Sequence, residues 1–408
     1  MKHITIATIS TLALLAAVPA LAVGTNKATT TQTSNYNVLD LTQTGDRGTA
    51  TVTQQAGNNN GDRTTIGAKG QQSGSDNVLK VLQNGASNGF DTNQTGGSRN
   101  TIDLTQTNNR NKAEADQFGG QDNKVIIKQA GGTFIKNTNN NASTYQDGAV
   151  NSTISVDQKD SWQTAKATQI QTQGGDRIDI LQGGLNQNGD VSQSYTIGSY
   201  ALLDQSSAGN EAKITQENSV RARAYVRQYG IDQDAQVTQL FNNDSVTDIF
   251  QEGIGNSVIS GQIGSTGSTV NVKQYLGYNQ ANVTQQSSNG SSLYLTQLSG
   301  DNFANISQLN SHESKIDVTQ KGGFFATGHN DVTVIQNFSS NSGIYLTQNG
   351  FNNDATLTQL ASASSVINGT QTGSNNSLTA TQSYSNSNVI TSIQNGSGNF
   401  ARITQGTK

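Results

Sequence analysis

The side chains that usually carry out catalysis are scarce in this chain. Its 408 residues include no cysteine and three histidines, His3, His312 and His329, which lie far apart in the sequence. No nucleophile motif, carboxylate pair or cluster of metal-ligating residues stands out. We therefore expect no enzymatic activity, no metal site and no other cofactor.

Glutamine is the residue type whose spacing is regular. From Gln205 to Gln320, and again from Gln336 to Gln405, it recurs at intervals that alternate between 11 and 12 residues. Two intervals make a 23-residue repeat, and an asparagine or serine stands six residues before most of these glutamines. A carboxamide both donates and accepts hydrogen bonds. The spacing therefore predicts hydrogen bonding between amides of successive repeats.

Stacked repeats would place equal residues about 4.7–4.8 Å apart, so these side chains are predicted to form structural ladders along the stack. The alternative is that asparagine and glutamine mark solvated turns, which would not hold them at fixed offsets from apolar positions. The predicted ladder residues are Asn77, Gln83, Asn88, Gln94, Asn100, Gln106, Asn111, Gln117, Asn123, Gln129, Ser199, Gln205, Asn210, Gln216, Ser291, Gln297, Asn302, Gln308, Ser342, Gln348, Asn353, Gln359, Ser365, Gln371, Asn376, Gln382, Asn388, Gln394, Asn399 and Gln405.

Each unit has the alternation of a β-strand. Between Asn100 and Gln106, one face carries Asn100, Ile102, Leu104 and Gln106, and the other face carries threonine and aspartate. This period of two residues predicts strands with one buried face. An amphipathic helix would show a period of about 3.6 residues and would not be interrupted by the glycines that recur in many connections.

Composition and pattern together predict the fold class. Hydrophobic residues make up 32% of the chain, too few for a thick core, and the sole proline is Pro19, so that no proline interrupts strand pairing after it. Within a repeat, the first strand usually points two large apolar residues inward and the second pairs alanine with a larger one. We expect an all-β protein, a β-solenoid of stacked strand–turn–strand repeats with two facing parallel sheets and a thin core.

The N-terminus is predicted to be a signal peptide over residues 1–22. A short basic start precedes an apolar stretch, and Ala20 and Ala22 form a small-residue cleavage site. A membrane anchor is the alternative, but the stretch is too short to span a bilayer, so we expect no membrane insertion. Residues 23–36 are expected to be an unstructured export segment.

The solenoid is predicted over residues 37–405, followed by a short tail at 406–408. It has a degenerate half repeat near 60–71, in which Gly67, Lys69 and Gln71 take the inward positions, and about fifteen and a half repeats in all. Two lengthened connections, at 130–139 and 321–329, replace the same kind of turn, so insertions are expected at one edge.

Charge is low and spread out. The formal net charge is −4, and no basic stripe is present, so nucleic acid is not an expected partner. The middle outward residue of the first strand is an aspartate in only some repeats, at Asp103, Asp179, Asp248 and Asp317. This spacing is expected to keep like charges from stacking in neighbouring layers.

The unit Ser-x5-Gln-x4-Asn-x5-Gln resembles that of curlin, the major subunit of curli amyloid fibres. It occurs literally in four places, at Ser199/Gln205/Asn210/Gln216, Ser291/Gln297/Asn302/Gln308, Ser342/Gln348/Asn353/Gln359 and Ser365/Gln371/Asn376/Gln382. The resemblance implies a β-solenoid subunit that leaves the cell through an outer-membrane secretion pore and assembles on a nucleator into fibres used for adhesion and biofilm matrix. The chain departs in its larger number of repeats and in Gln163, Gln187, Gln233 and Ala222, which replace the expected asparagine or serine.

Two functions are compatible with these residues. Repeats reach almost to the last residue without a recognisable cap, which predicts open strand edges and a homopolymeric, extracellular fibre. The alternative is a secreted monomeric solenoid that binds ice or polysaccharide through outward threonine columns, such as the threonines that precede Gln297, Gln320 and Gln348. Threonine also favours exposed strand positions for purely structural reasons.

Overall fold

A computed structural model describes residues 25–33, 37–55, 68–131, 138–322 and 328–406. These residues contain thirty-two strands and no helix. They fall into two compact units, Met1–Ala208 and Gly209–Lys408. The predicted signal peptide, with Ala20 and Ala22, lies outside the described residues.

Fifteen strands belong to the first unit and seventeen to the second. The first unit contains β1 (Lys27–Gln32), β2 (Asp40–Gln43), β3 (Thr49–Gln55), β4 (Ala68–Gln72), β5 (Val78–Asn84), β6 (Gly89–Thr95), β7 (Thr101–Thr107), β8 (Lys112–Phe118), β9 (Lys124–Ala130), β10 (Asn141–Asp147), β11 (Thr153–Lys159), β12 (Thr164–Ile170), β13 (Arg177–Leu185), β14 (Asn188–Ser194) and β15 (Tyr200–Ala208). The second unit contains β16 (Glu211–Glu217), β17 (Arg223–Ile231), β18 (Asp234–Leu240), β19 (Val246–Ile254), β20 (Ser257–Ile263), β21 (Thr269–Gln274), β22 (Gln280–Gln286), β23 (Ser292–Gln297), β24 (Phe303–Leu309), β25 (Lys315–Lys321), β26 (Asp331–Asn337), β27 (Gly343–Phe351), β28 (Asp354–Leu360), β29 (Val366–Ser374), β30 (Ser377–Ser383), β31 (Val389–Ser397) and β32 (Phe400–Gly406).

In each unit the odd-numbered strands form one parallel sheet and the even-numbered strands form the other. Neighbouring strands pair in register, so that Gln83 lies beside Gln106 and Gln106 beside Gln129. One odd strand and the following even strand make one layer of a β-solenoid. The predicted fold class is confirmed.

The core is built from alternate residues of both sheets. In β7, Ile102 and Leu104 are fully buried, and in β8 of the same layer Ala113 and Ala115 are fully buried. The intervening residues Thr101, Asp103 and Thr105 remain partly exposed. Large residues on one sheet against small ones on the other produce the thin, two-sided core that the pattern predicts.

In one layer the small inward residue lies in the odd strand and the large one in the even strand, and the small residue is a glycine. In β29 the second inward residue is Gly369, and the next even strand carries Leu378 at a position where β28 has Ala355. A Cβ added at Gly369 would lie 2.9 Å from Leu346 Cδ1 and 2.9 Å from Leu378 Cδ2. Leu378 therefore occupies the volume that Gly369 leaves open.

Two N-terminal expectations need correction. Residues 27–32, predicted to be unstructured, form β1, which pairs with β3 from Lys27 beside Thr49 to Gln32 beside Gln54. With β1, the thirty-two described strands make sixteen repeats of two strands each, half a repeat more than predicted. The segment Asn26-x5-Gln32 itself has the repeat's spacing, which is the signal that could have revealed it.

The predicted inward face of the degenerate half repeat is also wrong by one residue. In β4 the buried residues are Ala68, Gly70 and Gln72, whereas Lys69 and Gln71 are exposed. This register keeps the lysine charge in water and places Gln72 beside Gln94. Part of this half repeat, residues 60–67, lies outside the described residues.

Long connections all lead from an odd strand to an even strand. They join β3 to β4, β9 to β10 and β25 to β26. The first lies wholly outside the described residues, and the other two are described only at their ends. Several short connections of this kind turn at glycine. One is Gly350, whose φ is 140° and where a Cβ would overlap the Gly373 carbonyl of the next layer. The last strand, β32, extends to Gly406, one residue beyond the predicted end of the solenoid.

We expect Gly369→Val to destabilise the protein by about 1–3 kcal/mol, because the new methyl groups enter space already filled by leucine side chains. The double variant Gly369→Val, Leu378→Ala should recover most of this loss, since it recreates the arrangement of β11 and β12, where Ile154 and Val156 lie in one layer with Ala165 and Ala167. Chemical denaturation measures both effects. Equal instability of the single and double variants would contradict the size compensation.

Candidate functional site

The inward glutamines form hydrogen-bonded ladders. Gln83 Nε2 donates to Gln106 Oε1 over 2.8 Å, and Gln106 Nε2 donates to Gln129 Oε1 over 2.9 Å. Within each unit both ladders are unbroken and run in one direction, with every Nε2 donating to the next layer. In the first unit they run through Gln32, Gln54, Gln83, Gln106, Gln129, Gln158, Gln182 and Gln205, and through Gln43, Gln72, Gln94, Gln117, Gln146, Gln169 and Gln193. In the second unit they run through Gln228, Gln251, Gln274, Gln297, Gln320, Gln348, Gln371 and Gln394, and through Gln216, Gln239, Gln262, Gln285, Gln308, Gln336, Gln359, Gln382 and Gln405.

The second N–H of these amides crosses to the facing sheet. Gln106 Nε2 also donates to the Gly89 carbonyl over 3.0 Å, and Gln251 Nε2 donates to the Asp234 carbonyl over 2.9 Å. One glutamine thus bonds to the layer before it, the layer after it and the opposite sheet. Because both donors and the acceptor are used, the amide can be fully buried without the desolvation cost of an unpaired polar group.

An asparagine or serine stands before most strands and accepts a backbone N–H from the next layer. Asn77 Oδ1 accepts from the Asn100 N–H at 3.0 Å, and Asn100 Oδ1 accepts from the Asn123 N–H at 3.1 Å. In the second unit serine does the same in the odd sheet, where Ser291 Oγ accepts from the Ser314 N–H at 3.2 Å. These side chains close each corner where the backbone turns from one sheet to the other.

Asparagine forms a further side-chain ladder in the even sheet of the second unit. The Asn302 amide donates to Asn279 Oδ1 and the Asn330 amide donates to Asn302 Oδ1, both over 3.0 Å. The series continues through Asn353 and Asn376 to Asn399. All the ladder residues predicted from the sequence are buried except Asn388, Asn399 and Gln405, which lie next to or in the last layer.

The three glutamines that replace asparagine make the donor hydrogen bonds of its amide but not the acceptor bond. The Nε2 atoms of Gln163, Gln187 and Gln233 donate to carbonyls of the connections. Their Oε1 atoms are buried and lack a hydrogen-bond partner. One additional methylene carries the oxygen past the N–H that asparagine would bind. Ala222, the fourth replacement, has no side-chain acceptor at all.

Asp176 is a ladder residue that the pattern of asparagine or serine six residues before glutamine does not predict. It occupies the asparagine position before β13, where its carboxylate accepts the Ser199 N–H at 2.6 Å and the Gln173 N–H at 2.7 Å. Burial raises the pKa of Asp176 to about 6, although the two backbone hydrogen bonds oppose the shift. A carboxylate here costs more to bury than the neutral amide used elsewhere.

Arginine and aspartate pair at the corners of successive layers. Arg99 Nε lies 2.6 Å from Asp122 Oδ1, and the second guanidinium nitrogen bonds the other carboxylate oxygen. Arg47 with Asp76 and Arg221 with Asp244 repeat this geometry. In each pair the arginine belongs to the earlier layer and the aspartate to the next. The hydrogen bond from Arg99 lowers the pKa of Asp122.

The outer face of the even sheet does not avoid like charges. Asp91 of β6 lies directly beside Glu114 of β8, and Asp331 of β26 beside Asp354 of β28. The expectation drawn from the spaced aspartates of the odd strands therefore does not extend to this sheet. Burial, assisted by the charges of Asp91 and Glu114, raises the pKa of Asp116 to about 6.

A model described as the curlin associated repeat matches residues 97–131, the segment that holds β7, β8 and β9 with their ladder pairs. This segment is similar to a curlin repeat, and the described strands stack in many layers of the same kind, as expected of a curlin-like protein with many repeats. No curated protein matches the chain. The curlin repeat family is structural and non-enzymatic.

Nowhere in the described part of the chain do three or more histidine, cysteine, aspartate or glutamate side chains form a group suited to a metal ion. The same residues include no helix that is long and apolar enough to cross a membrane.

We expect Gln233→Asn to stabilise the curlin-like protein by about 1 kcal/mol, because the shorter side chain brings its oxygen to the backbone N–H of Asn256 and removes an unsatisfied buried acceptor. The reciprocal change, Asn302→Gln, should destabilise by a similar amount, since it breaks an amide ladder that is continuous on both sides. Thermal unfolding of both variants measures the difference. Loss of stability in Gln233→Asn would refute this account of the replaced positions.

We expect Asp116→Asn to stabilise the protein at pH 7 and to have little effect at pH 4. The folded-state pKa of Asp116, about 6, lies above its ordinary value of 3.8, so the folded state holds this proton more tightly. Its favourable contribution is complete below the ordinary pKa and is lost as pH rises through 6. Asp122→Asn is the control of opposite sign, because the pKa of Asp122 is lowered and its contribution disappears as pH falls. Unfolding curves between pH 4 and pH 7 distinguish the two.

Proposed function

We propose that the secreted chain, beginning at Val23, is the subunit of an extracellular curli-like fibre in which copies add head to tail. The observation that supports this proposal is the set of buried amide ladders, which are unbroken within each unit and all point in one direction. A ladder of this kind is satisfied by another layer of the same type, and a second copy supplies such a layer.

The terminal layers favour growth by strand addition. Among the described residues, no strand pairs with the outer edges of β1 and β2 or of β31 and β32. Strand edges with free N–H and C=O groups template the pairing of further strands. A contact between two different ends does not close into a ring when its rotation is incompatible with closure, and then it produces a filament.

The cellular setting is proposed from the resemblance to curlin. The signal peptide at 1–22 directs secretion, residues 23–36 direct export through an outer-membrane pore before β1 joins its sheet, and a nucleator starts assembly. The fibres then serve adhesion and biofilm matrix. No nucleic acid and no membrane insertion are part of this function.

We expect the purified chain without residues 1–22, which retains every described residue, to form unbranched fibres without any partner. Electron microscopy and thioflavin fluorescence detect the fibres, and fibre diffraction should give the strand spacing of about 4.7–4.8 Å. A folded chain that stays monomeric at high concentration would refute the proposal.

Threonine columns favour a second candidate. Thr296, Thr319 and Thr347 lie side by side on successive odd strands and point outward. Such a column offers hydroxyl and methyl groups at regular spacing to ice or to a polysaccharide. Thermal hysteresis or polysaccharide co-sedimentation by the monomer would support this alternative, and fibres without either activity would exclude it.

A further inference from the structure

Opposite charges stand at equivalent positions of the two terminal layers. We call the layer of β1 and β2 the head and the layer of β31 and β32 the tail. Asp40 of the head lies three residues before Gln43, and Arg402 of the tail lies three residues before Gln405. Both side chains are exposed and point outward from the even sheet. Residues at this position stack directly in neighbouring layers, as Asp40 does on Lys69 and Thr379 on Arg402.

The head begins an alternating column of charges. Asp40 lies beside Lys69, and Lys69 lies beside Asp91. If the tail of another copy preceded the head, Arg402 would come before Asp40 and extend this alternation by one residue. Opposite charges in neighbouring strands stabilise a sheet, whereas like charges directly opposite destabilise it.

Existing ion pairs show that this arrangement can be made between layers. Arg47 and Asp76, Arg99 and Asp122, and Arg221 and Asp244 each place an arginine one layer before an aspartate, with N–O distances of 2.7, 2.6 and 2.6 Å. Arg402 before Asp40 has the same order. No ion pair joins Arg402 or Asp40 to any other described residue.

The direction of the amide ladders selects the same joint. At the tail, Gln382 Nε2 donates to Gln405 Oε1, which leaves Gln405 Nε2 on the outer side. At the head, Gln43 Nε2 donates to Gln72 Oε1, which leaves Gln43 Oε1 on the outer side. Tail against head brings donor to acceptor, whereas tail against tail opposes two donors and two arginines.

Incomplete burial of the terminal cores leaves apolar surface for the joint to cover. Ile403 of the tail and Leu41 of the head occupy the same inward position, two residues before their glutamines, and both are only half-buried. Inward residues of inner layers, such as Leu104 and Ile306, are fully buried. A second copy would cover the exposed parts of Ile403 and Leu41 and thereby favour association.

We propose that successive copies join with β31 and β32 of one copy beside β1 and β2 of the next, and that an ion pair between Arg402 and Asp40 sets the polarity and register of the joint. The proposal rests on the proposed function, which supplies the polymer. The partner at each joint is a second copy of this chain. The ion pair distinguishes the contact of tail with head from contacts with the other exposed strand edges.

Charge reversal on each side of the joint tests the proposal. Fibre elongation from preformed seeds is followed by thioflavin fluorescence at low ionic strength for Arg402→Asp and for Asp40→Arg. Each single variant opposes like charges at every joint, and we expect elongation to slow by roughly tenfold or more. Added salt should reduce the difference from the unchanged chain, because it screens exposed charges.

Mixing the single variants separates a contact between copies from a folding defect. In a 1:1 mixture, the tail of Arg402→Asp can join the head of Asp40→Arg, and the tail of Asp40→Arg can join the head of Arg402→Asp. Both joints place opposite charges side by side, so elongation should recover. The double variant Arg402→Asp, Asp40→Arg should recover as well. Arg110→Asp is the matched control, since it changes the charge equally at an exposed arginine in the connection from β7 to β8.

The outcomes distinguish this joint from the proposed function. Fibres from the unchanged chain, slow growth of both single variants and recovery in the mixture support the joint. Fibres that grow as fast with Arg402→Asp as with Arg110→Asp, or no recovery in the mixture, overturn the joint and leave the fibre intact. A chain that never forms fibres overturns the proposed function and the joint with it.

Discussion

The buried glutamine amide is the group on which the rest of this structure depends. It can leave water only if both of its N–H groups and its oxygen find partners, and a single strand cannot supply them. Gln106 obtains them from Gln83, Gln129 and the Gly89 carbonyl, which lie in the preceding layer, the following layer and the facing sheet. This requirement fixes parallel pairing in register, because a shift by one residue would point every glutamine to solvent.

Apolar packing adjusts to this frame and does not determine it. The inward positions between the ladder residues accept any pair whose combined volume fills the thin space between the sheets. Ile102 and Leu104 share a layer with two alanines, whereas Gly369 is accompanied by Leu378. Connections vary even more, and the long ones leave an odd strand where the solenoid tolerates additional residues. The amide positions remain constant while volume and connection length change.

The ladders also make each unit polar along its own solenoid axis. Each glutamine donates toward the C-terminus, and each corner arginine precedes the aspartate that it binds. Two different ends follow from this order, one with outward acceptors and one with outward donors. A repeat that merely stacked through apolar contacts would lack this distinction. Polarity is therefore a property of the side-chain hydrogen bonds as much as of the parallel backbone.

The sequence by itself determined the fold class, the strand positions and the inward face of nearly every strand, because a period of two within a period of 23 leaves one arrangement that buries the apolar residues. It determined less at the N-terminus, where β1 and β4 depend on the strands beside them: Gln72, not Gln71, faces Gln94. Only the tertiary structure decided which charges stack, such as Asp91 beside Glu114, and which acceptors remain unpaired, such as Gln233 Oε1. These features belong to pairs of layers, and a pattern read along one chain does not contain the distances between them.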